Sequence, residues 1–308
     1  MKHKSLNIVI VIAVSLVMSL SACQAAPSQG QESPNALLQV TVSIPPQAYF
    51  VERIAGDMVS VNVMVQPGDN VHTYEPTPDQ MKMVSSSQIF FSIGVEYEEN
   101  WLPRFMEMNP KMSIFDTAAG IQKIKTTEIH YHEDEDDHHD EDAHADGLDP
   151  HVWLAPGNGK TIATNILNAL VDLSPENETA FQDNFQDLIT DIDQLEAQIS
   201  TTLASLENRH FMVYHPAWGY FANQYKLTQI PVEVGGQEPS ARELAELVRI
   251  AKQEQIKVIF VQPAFSTANA EALANEVGAE VVRIDPLAFD WLNNLTAVSE
   301  AFAAALSQ

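Results

Sequence analysis

The chain is nearly without cysteine: Cys23 is its only one in 308 residues. A single thiol excludes any internal disulfide, so the fold must be held by packing and by what it binds rather than by cross-links. Positive charge is scarce as well. Sixteen Lys and Arg stand against 42 Asp and Glu, a net charge of −26, and a field of that sign repels phosphate backbones and anionic lipid surfaces. Nucleic acid is thereby excluded as a partner, and cations are the small ligands the charge favours. Two enzyme signatures are also missing, since neither a His-Glu-x-x-His helix nor a nucleophile elbow occurs.

The one long apolar run, Ile8 to Leu20, follows Lys2 and Lys4 and leads into Leu20-Ser21-Ala22-Cys23. It is short for a membrane span, which needs ~20 apolar residues, and small residues rather than a basic flank follow it. Residues 1–22 therefore read as a secretion signal. Leu-Ser-Ala-Cys resembles a bacterial lipoprotein box, in which the cysteine becomes the lipidated first residue of the mature protein. Cys23 is the expected lipid anchor and the chain's one membrane contact, which places the protein outside the cytoplasm, in a periplasm or on a cell surface. Residues 23–36, rich in Gln, Ala, Pro, Ser and Gly, read as a flexible tether.

Removing the signal leaves about 286 residues, and at ~100–200 residues per domain this points to two domains. From Leu38 onward, β-branched runs such as Val40–Ile44 and Val59–Val65 alternate with helical patterns, as expected of α/β architecture. Thr77-Pro78-Asp79-Gln80 and Ser240-Ala241-Arg242-Glu243 are capping boxes that should each open a helix. Phe181, Phe185, Leu188, Ile192, Leu195, Ile199, Leu203 and Leu206 form one apolar stripe at spacings of three and four, which predicts a single long helix from Ser174 to about Asn208. At ~1.5 Å per residue that helix would run roughly 50 Å, a rigid connector between domains. The expected layout is an N-terminal α/β lobe over 37–172 carrying a loop at 128–147, a connecting helix over 173–208, and a C-terminal α/β lobe over 209–308. Strands are expected at Ile89–Gly94, Phe211–Tyr214, Val258–Val261 and Val281–Ile284.

Ten histidines are present, and their placement carries the functional argument. His72, His151 and His215 each follow an extended segment inside a turn rich in Pro, Gly or Asp. Ligands of α/β sheets bind beyond the carboxyl ends of strands, so these three could converge between the domains. Three imidazoles with one carboxylate or water suit tetrahedral Zn²⁺, and Asp285, just past the strand ending at Ile284, is the candidate oxygen ligand. Glu75, Trp153 and Trp218 are expected to pack or hydrogen-bond around the ligands. His210 is expected in the turn after the connector. Five more histidines, His130, His132, His138, His139 and His144, fall in a fifteen-residue segment full of Asp and Glu with no Lys or Arg. That composition builds no core and suits secondary, low-affinity metal binding.

Gly68 to Pro76 with His72-Thr73-Tyr74-Glu75-Pro76, then Asp149-Pro150-His151-Val152-Trp153-Leu154, then His215-Pro216-Ala217-Trp218-Gly219-Tyr220 resemble, in order, three metal-ligand motifs of the metal-specific (cluster A-I) solute-binding proteins of ABC importers, zinc-binding type. Asp285 falls where that family places its fourth ligand. The resemblance covers the chain from Ile44 to the C-terminus. It implies two α/β lobes, each a mainly parallel sheet flanked by helices, joined by one long rigid helix, with the metal in the interlobe cleft and little hinge motion. It further implies a monomer that captures Zn²⁺ and delivers it to an ABC-type membrane permease, not an enzyme. Manganese-binding members have a carboxylate where this chain has His215, and nitrogen ligands favour Zn²⁺ over the harder Mn²⁺. Zinc-type members also carry a His- and acid-rich loop at the position of 130–144, and some have a C-terminal disulfide that this chain cannot form. The alternatives within the family are another divalent metal, manganese above all, or a surface adhesin.

Overall fold

A computed structural model describes residues 37–127, 147–233, 236–265 and 268–307. The signal, the tether, Cys23 and the five histidines of the acidic segment lie outside the described residues.

The N-terminal lobe runs β1 (Leu38–Val42), α1 (Pro45–Ala55), β2 (Val59–Val63), α2 (Pro78–Ser86), β3 (Ile89–Ser92), α3 (Glu96–Met108), β4 (Ser113–Asp116) and α4 (Pro156–Leu173). Its four strands are all parallel, in the order β2-β1-β3-β4, with Val40 of β1 in register with Val61 on one side and Ile89 on the other. After α5 (Glu178–Thr202), the C-terminal lobe runs β5 (His210–Val213), α6 (Gly219–Tyr225), β6 (Thr228–Pro231), α7 (Ala241–Gln253), β7 (Val258–Val261), α8 (Ala268–Val277), β8 (Glu280–Arg283) and α9 (Trp291–Leu306). Its sheet is again parallel, in the equivalent order β6-β5-β7-β8. In each lobe successive strands go to opposite sides of the first, so a crevice opens between β1 and β3 and between β5 and β7.

Local sequence explains where the elements begin. Thr77 accepts a hydrogen bond from Gln80 N while Gln80 Oε1 accepts one from Thr77 N at 3.0 Å. Ser240 and Glu243 exchange the same pair ahead of α7, so both capping boxes form. β3 and β7 are buried at every position, as strands covered on both faces should be.

The connector is shorter than its sequence pattern. α5 spans 25 residues, about 38 Å at 1.5 Å per residue, because Pro175–Asn177 forms a separate 3₁₀ turn and the helix ends at Thr202. Leu203 and Leu206 are buried all the same, so the apolar spacing continues beyond the helical hydrogen bonds. His210 opens β5 rather than lying in the preceding turn.

One apolar core runs through both lobes, from Phe50 and Trp153 to Phe211, Phe260 and Phe302. Its joint is Trp291 at the start of α9, whose ring lies 4.9 Å from that of Phe50 and whose Nε1 donates to Trp153 O at 2.7 Å. Gly159 makes room for it: a Cβ there would come within 2.6 Å of the Trp291 ring. The alternation of side chains along a strand splits β5 between two layers. Phe211 and Val213 enter the shared core, whereas Met212 and Tyr214 face a second, smaller cluster with Leu247, Ile259, Val261 and Leu273. Among the described residues, no helix is long and apolar enough to cross a membrane.

Candidate metal centre

The carboxyl ends of strands from both lobes border one pocket, lined by Gly68–His72, His151, Trp153, His215, Gln262–Phe265 and Asp285–Leu287. His72 lies on the loop after β2, His151 on the segment between β4 and α4, and His215 two residues past β5. The sequence scatters these histidines over more than 140 positions, and the fold gathers them. His72 Nε2 is 2.9 Å from His215 Nε2, which is 3.4 Å from His151 Nε2. One ligand atom from each falls within 4.8 Å of the others, so the three could hold a metal ion.

Each ring is oriented from behind by a carboxylate. His151 Nδ1 is 2.8 Å from Asp149 Oδ1, which also accepts from His151 N at 2.9 Å. His215 Nδ1 is 2.6 Å from Glu233 Oε2, and His72 Nδ1 lies 2.8 Å from Glu96 Oε2. A carboxylate only accepts, so the proton belongs on each Nδ1 and each Nε2 turns its lone pair to the centre, although Glu96 Oε2 sits at contact distance from His72 without a hydrogen bond to it, unlike the other two carboxylates. Three converging lone pairs repel unless a cation lies among them. Tetrahedral Zn²⁺ with Zn–N bonds of about 2.0–2.1 Å sets neighbouring nitrogens about 3.3 Å apart, and the observed 2.9 and 3.4 Å bracket that spacing.

Burial sets the charge state. It pushes His215 down to about 4 against the opposing hydrogen bond of Glu233, so this imidazole is neutral, as a metal ligand must be. Burial pushes Glu96 up, but its contact with His72 prevails and holds the carboxyl at about 2. Apolar rings close the walls: Phe265 stacks on His215 with centroids 4.8 Å apart, and Trp153 meets His151 edge-on at 5.3 Å.

Other expected residues fall differently. Asp285 lines the pocket, but it is outside the group of three. Its Oδ1 accepts from Leu287 N at 2.8 Å, and burial raises its pKa. Trp153 does pack against one of the three histidines, His151. Trp218 does not: it is buried in the shared core against Phe221 and Phe302. Glu75 is exposed because the chain turns Tyr74, its neighbour, inward. The carboxylates that do the orienting, Glu96, Asp149 and Glu233, were not singled out by sequence. Glu96 and Glu233 each stand a few residues beyond the carboxyl end of a strand, the same signal that marks His215.

A family model described as the periplasmic zinc-uptake complex component A, ZnuA, matches residues 40–305. The high-affinity zinc uptake system protein ZnuA of Bacillus subtilis is 30% identical over 282 residues, 90% of this chain and 87% of that protein. A crystal structure of ZnuA is 39% identical and superposes with a TM-score of 0.80, over 88% of this chain and 99% of that one. A ZnuA deletion mutant with zinc bound is 38% identical with the same TM-score, over 89% of this chain and 99% of its own. The chain belongs to the ZnuA family of periplasmic zinc-uptake components.

Proposed function

We propose that this protein captures Zn²⁺ with His72, His151 and His215 and hands it to an ABC-type permease. The observation that carries the reading is the convergence of three Nε2 lone pairs at a spacing suited to tetrahedral Zn²⁺, each ring held by its own carboxylate. Water or Asp285 completes the coordination shell. Asp285 would have to give up its hydrogen bond from Leu287 or share that oxygen to do so. Lipid attachment at Cys23 keeps the loaded protein near its permease, and the reading for this rests on Leu20 to Cys23. The histidines of 130–144 act as a secondary, low-affinity store.

The test is titration of metal-stripped protein with Zn²⁺ and Mn²⁺ in competition. Wild type is expected to prefer zinc with one tight site, and His215→Glu to shift the preference toward manganese, since a carboxylate suits the harder ion. Manganese preference in the wild type would overturn the zinc assignment. Deleting residues 130–146 should leave the tight site intact and remove only weaker binding; loss of the tight site would overturn the secondary role.

A further inference from the structure

Asp149 is a residue of the N-terminal lobe, but two of the residues packed on it, Gly219 and Tyr220, come from the other. It is fully buried. One oxygen, Oδ1, holds His151 through both the ring and the main chain. The other, Oδ2, has no hydrogen-bond partner among the described residues and lies against Gly219, so close that a Cβ at 219 would be 2.5 Å from it. The main chain of Asp149 is clamped in turn. Its N donates to Ile124 O at 2.9 Å, and its O accepts from the Tyr220 hydroxyl at 2.8 Å, while the same hydroxyl accepts from Ile124 N at 3.2 Å. Gly219 and Tyr220 begin α6, which leaves the very loop that carries His215.

We infer that Gly219 and Tyr220 are positioning residues for metal capture, acting through Asp149: the C-terminal lobe seats the carboxylate that aims His151. This rests on the metal-capture reading above. Gly219 is needed for space rather than for backbone freedom, because any side chain there drives Asp149 off its two bonds to His151. Tyr220 fixes the height of the Asp149 main chain relative to β4's exit segment. Since α6 and His215 share one loop, a pull on the start of α6 loosens two ligands together. Release of the ion is then set at this contact rather than by opening a hinge.

Zinc release from the full-length chain into a chromophoric chelator tests this, with Co²⁺ absorption reporting coordination geometry. Gly219→Ala is expected to release Zn²⁺ about 10-fold faster or more, the scale at which residues behind metal ligands act, and to alter the Co²⁺ bands. Asp149→Ala should do the same. In the double variant Gly219→Ala should add nothing, because the carboxylate its methyl would strike is gone; a loss that multiplies instead overturns the inference, since it marks a merely structural effect. Should Gly219→Ala not fold, Tyr220→Phe decides: release about threefold faster with altered Co²⁺ bands supports the seat, and wild-type behaviour overturns it. His72→Ala is the control for the underlying reading. If it binds Zn²⁺ as wild type does, the capture site itself is wrong; if it fails while Gly219→Ala and Tyr220→Phe match wild type, only the present inference falls.

Discussion

The two lobes share a strand order and one apolar core, to which the C-terminal lobe adds a second, smaller core of its own. The N-terminal sheet, α5, α9 and one face of the C-terminal sheet pack into a single apolar body, whereas the other face of the C-terminal sheet packs with α7 and α8 into a cluster of its own. A layer that spans both lobes resists hinge motion, because opening the cleft would expose the Trp291 contacts with Phe50 and Gly159. The outer layer carries no such constraint. Trp291→Ala should therefore cost about 3–5 kcal/mol, as large aromatic deletions from cores do, and weaken zinc binding too, because Trp291 holds the main chain of Trp153 beside His151. Leu247→Ala, at a fully buried site of the outer cluster, should cost about 2–3 kcal/mol and leave zinc affinity within about twofold of wild type. Denaturant unfolding and zinc competition on both variants check the pair. Equal loss of affinity would mean that the two layers behave as one.

The crevices of the two sheets differ in chemistry as well. Beyond β7 stands a neutral amide, Gln262, which bonds both N and O of His215. Beyond β1 and β3 stands a buried carboxyl, Glu98, which accepts from Ser43 Oγ, from Ile93 N at 3.0 Å and from Gly94 N at 2.8 Å. Burial pushes Glu98 up, those hydrogen bonds oppose it, the charge of Asp116 adds to it, and the carboxyl titrates at about 7. Between the ordinary 4.5 and 7 the folded chain holds a proton that the unfolded chain has lost, so this contribution to stability is complete below 4.5 and is lost as pH rises through 7. His215, kept neutral down to about 4, gives a slope of the opposite sign below 6.5, and the two offset in wild type. The difference between wild type and Glu98→Gln isolates the carboxyl. Gln leaves an N–H of Ile93 or Gly94 without its acceptor at every pH, so it is less stable at pH 5, and the gap should narrow by on the order of 2 kcal/mol by pH 8. A constant gap would show that Glu98 is ionised throughout.

Much of this was legible in the sequence where local rules decide. The capping boxes at Thr77 and Ser240 open helices because both halves of each box lie within four residues. Periodicity found α5, yet it overran the ends, since Leu203 and Leu206 stay in the apolar core beyond the last helical residue and apolar spacing cannot register where hydrogen bonding stops. The three histidines were found by their turns beyond extended segments, and the family resemblance supplied their grouping. Their carboxylates were harder to see. Glu96, Asp149 and Glu233 are three among 42 acidic residues; tertiary structure alone brings Glu96 and Glu233 to within 2.8 and 2.6 Å of a ring nitrogen, while Asp149 stands only two residues from His151 and nothing in its local sequence marks which ring atom it meets. Gly219 was equally hidden, because its role is the close approach of a residue from the other lobe.

The carboxylates behind His72 and His215 give the finest comparison between the lobes. In the C-terminal lobe the pair is drier: the side chains of His215 and Glu233 are 12% and 8% exposed, against 18% and 33% for His72 and Glu96. A charge-assisted hydrogen bond is stronger where water competes less. Replacing either Glu with Gln keeps an acceptor for Nδ1–H but removes the negative charge that makes the imidazole a better donor to the metal. Glu233→Gln should therefore weaken zinc binding about 10-fold, near the lower end for such residues, and Glu96→Gln by only about threefold, because Glu96 Oε2 stands beside His72 without a hydrogen bond to it. Chelator competition on the two variants at one pH measures the ratio. A larger loss at Glu96 would assign the greater role to the N-terminal lobe, and would mean that the wetter pair is drawn together and dried when the ion binds.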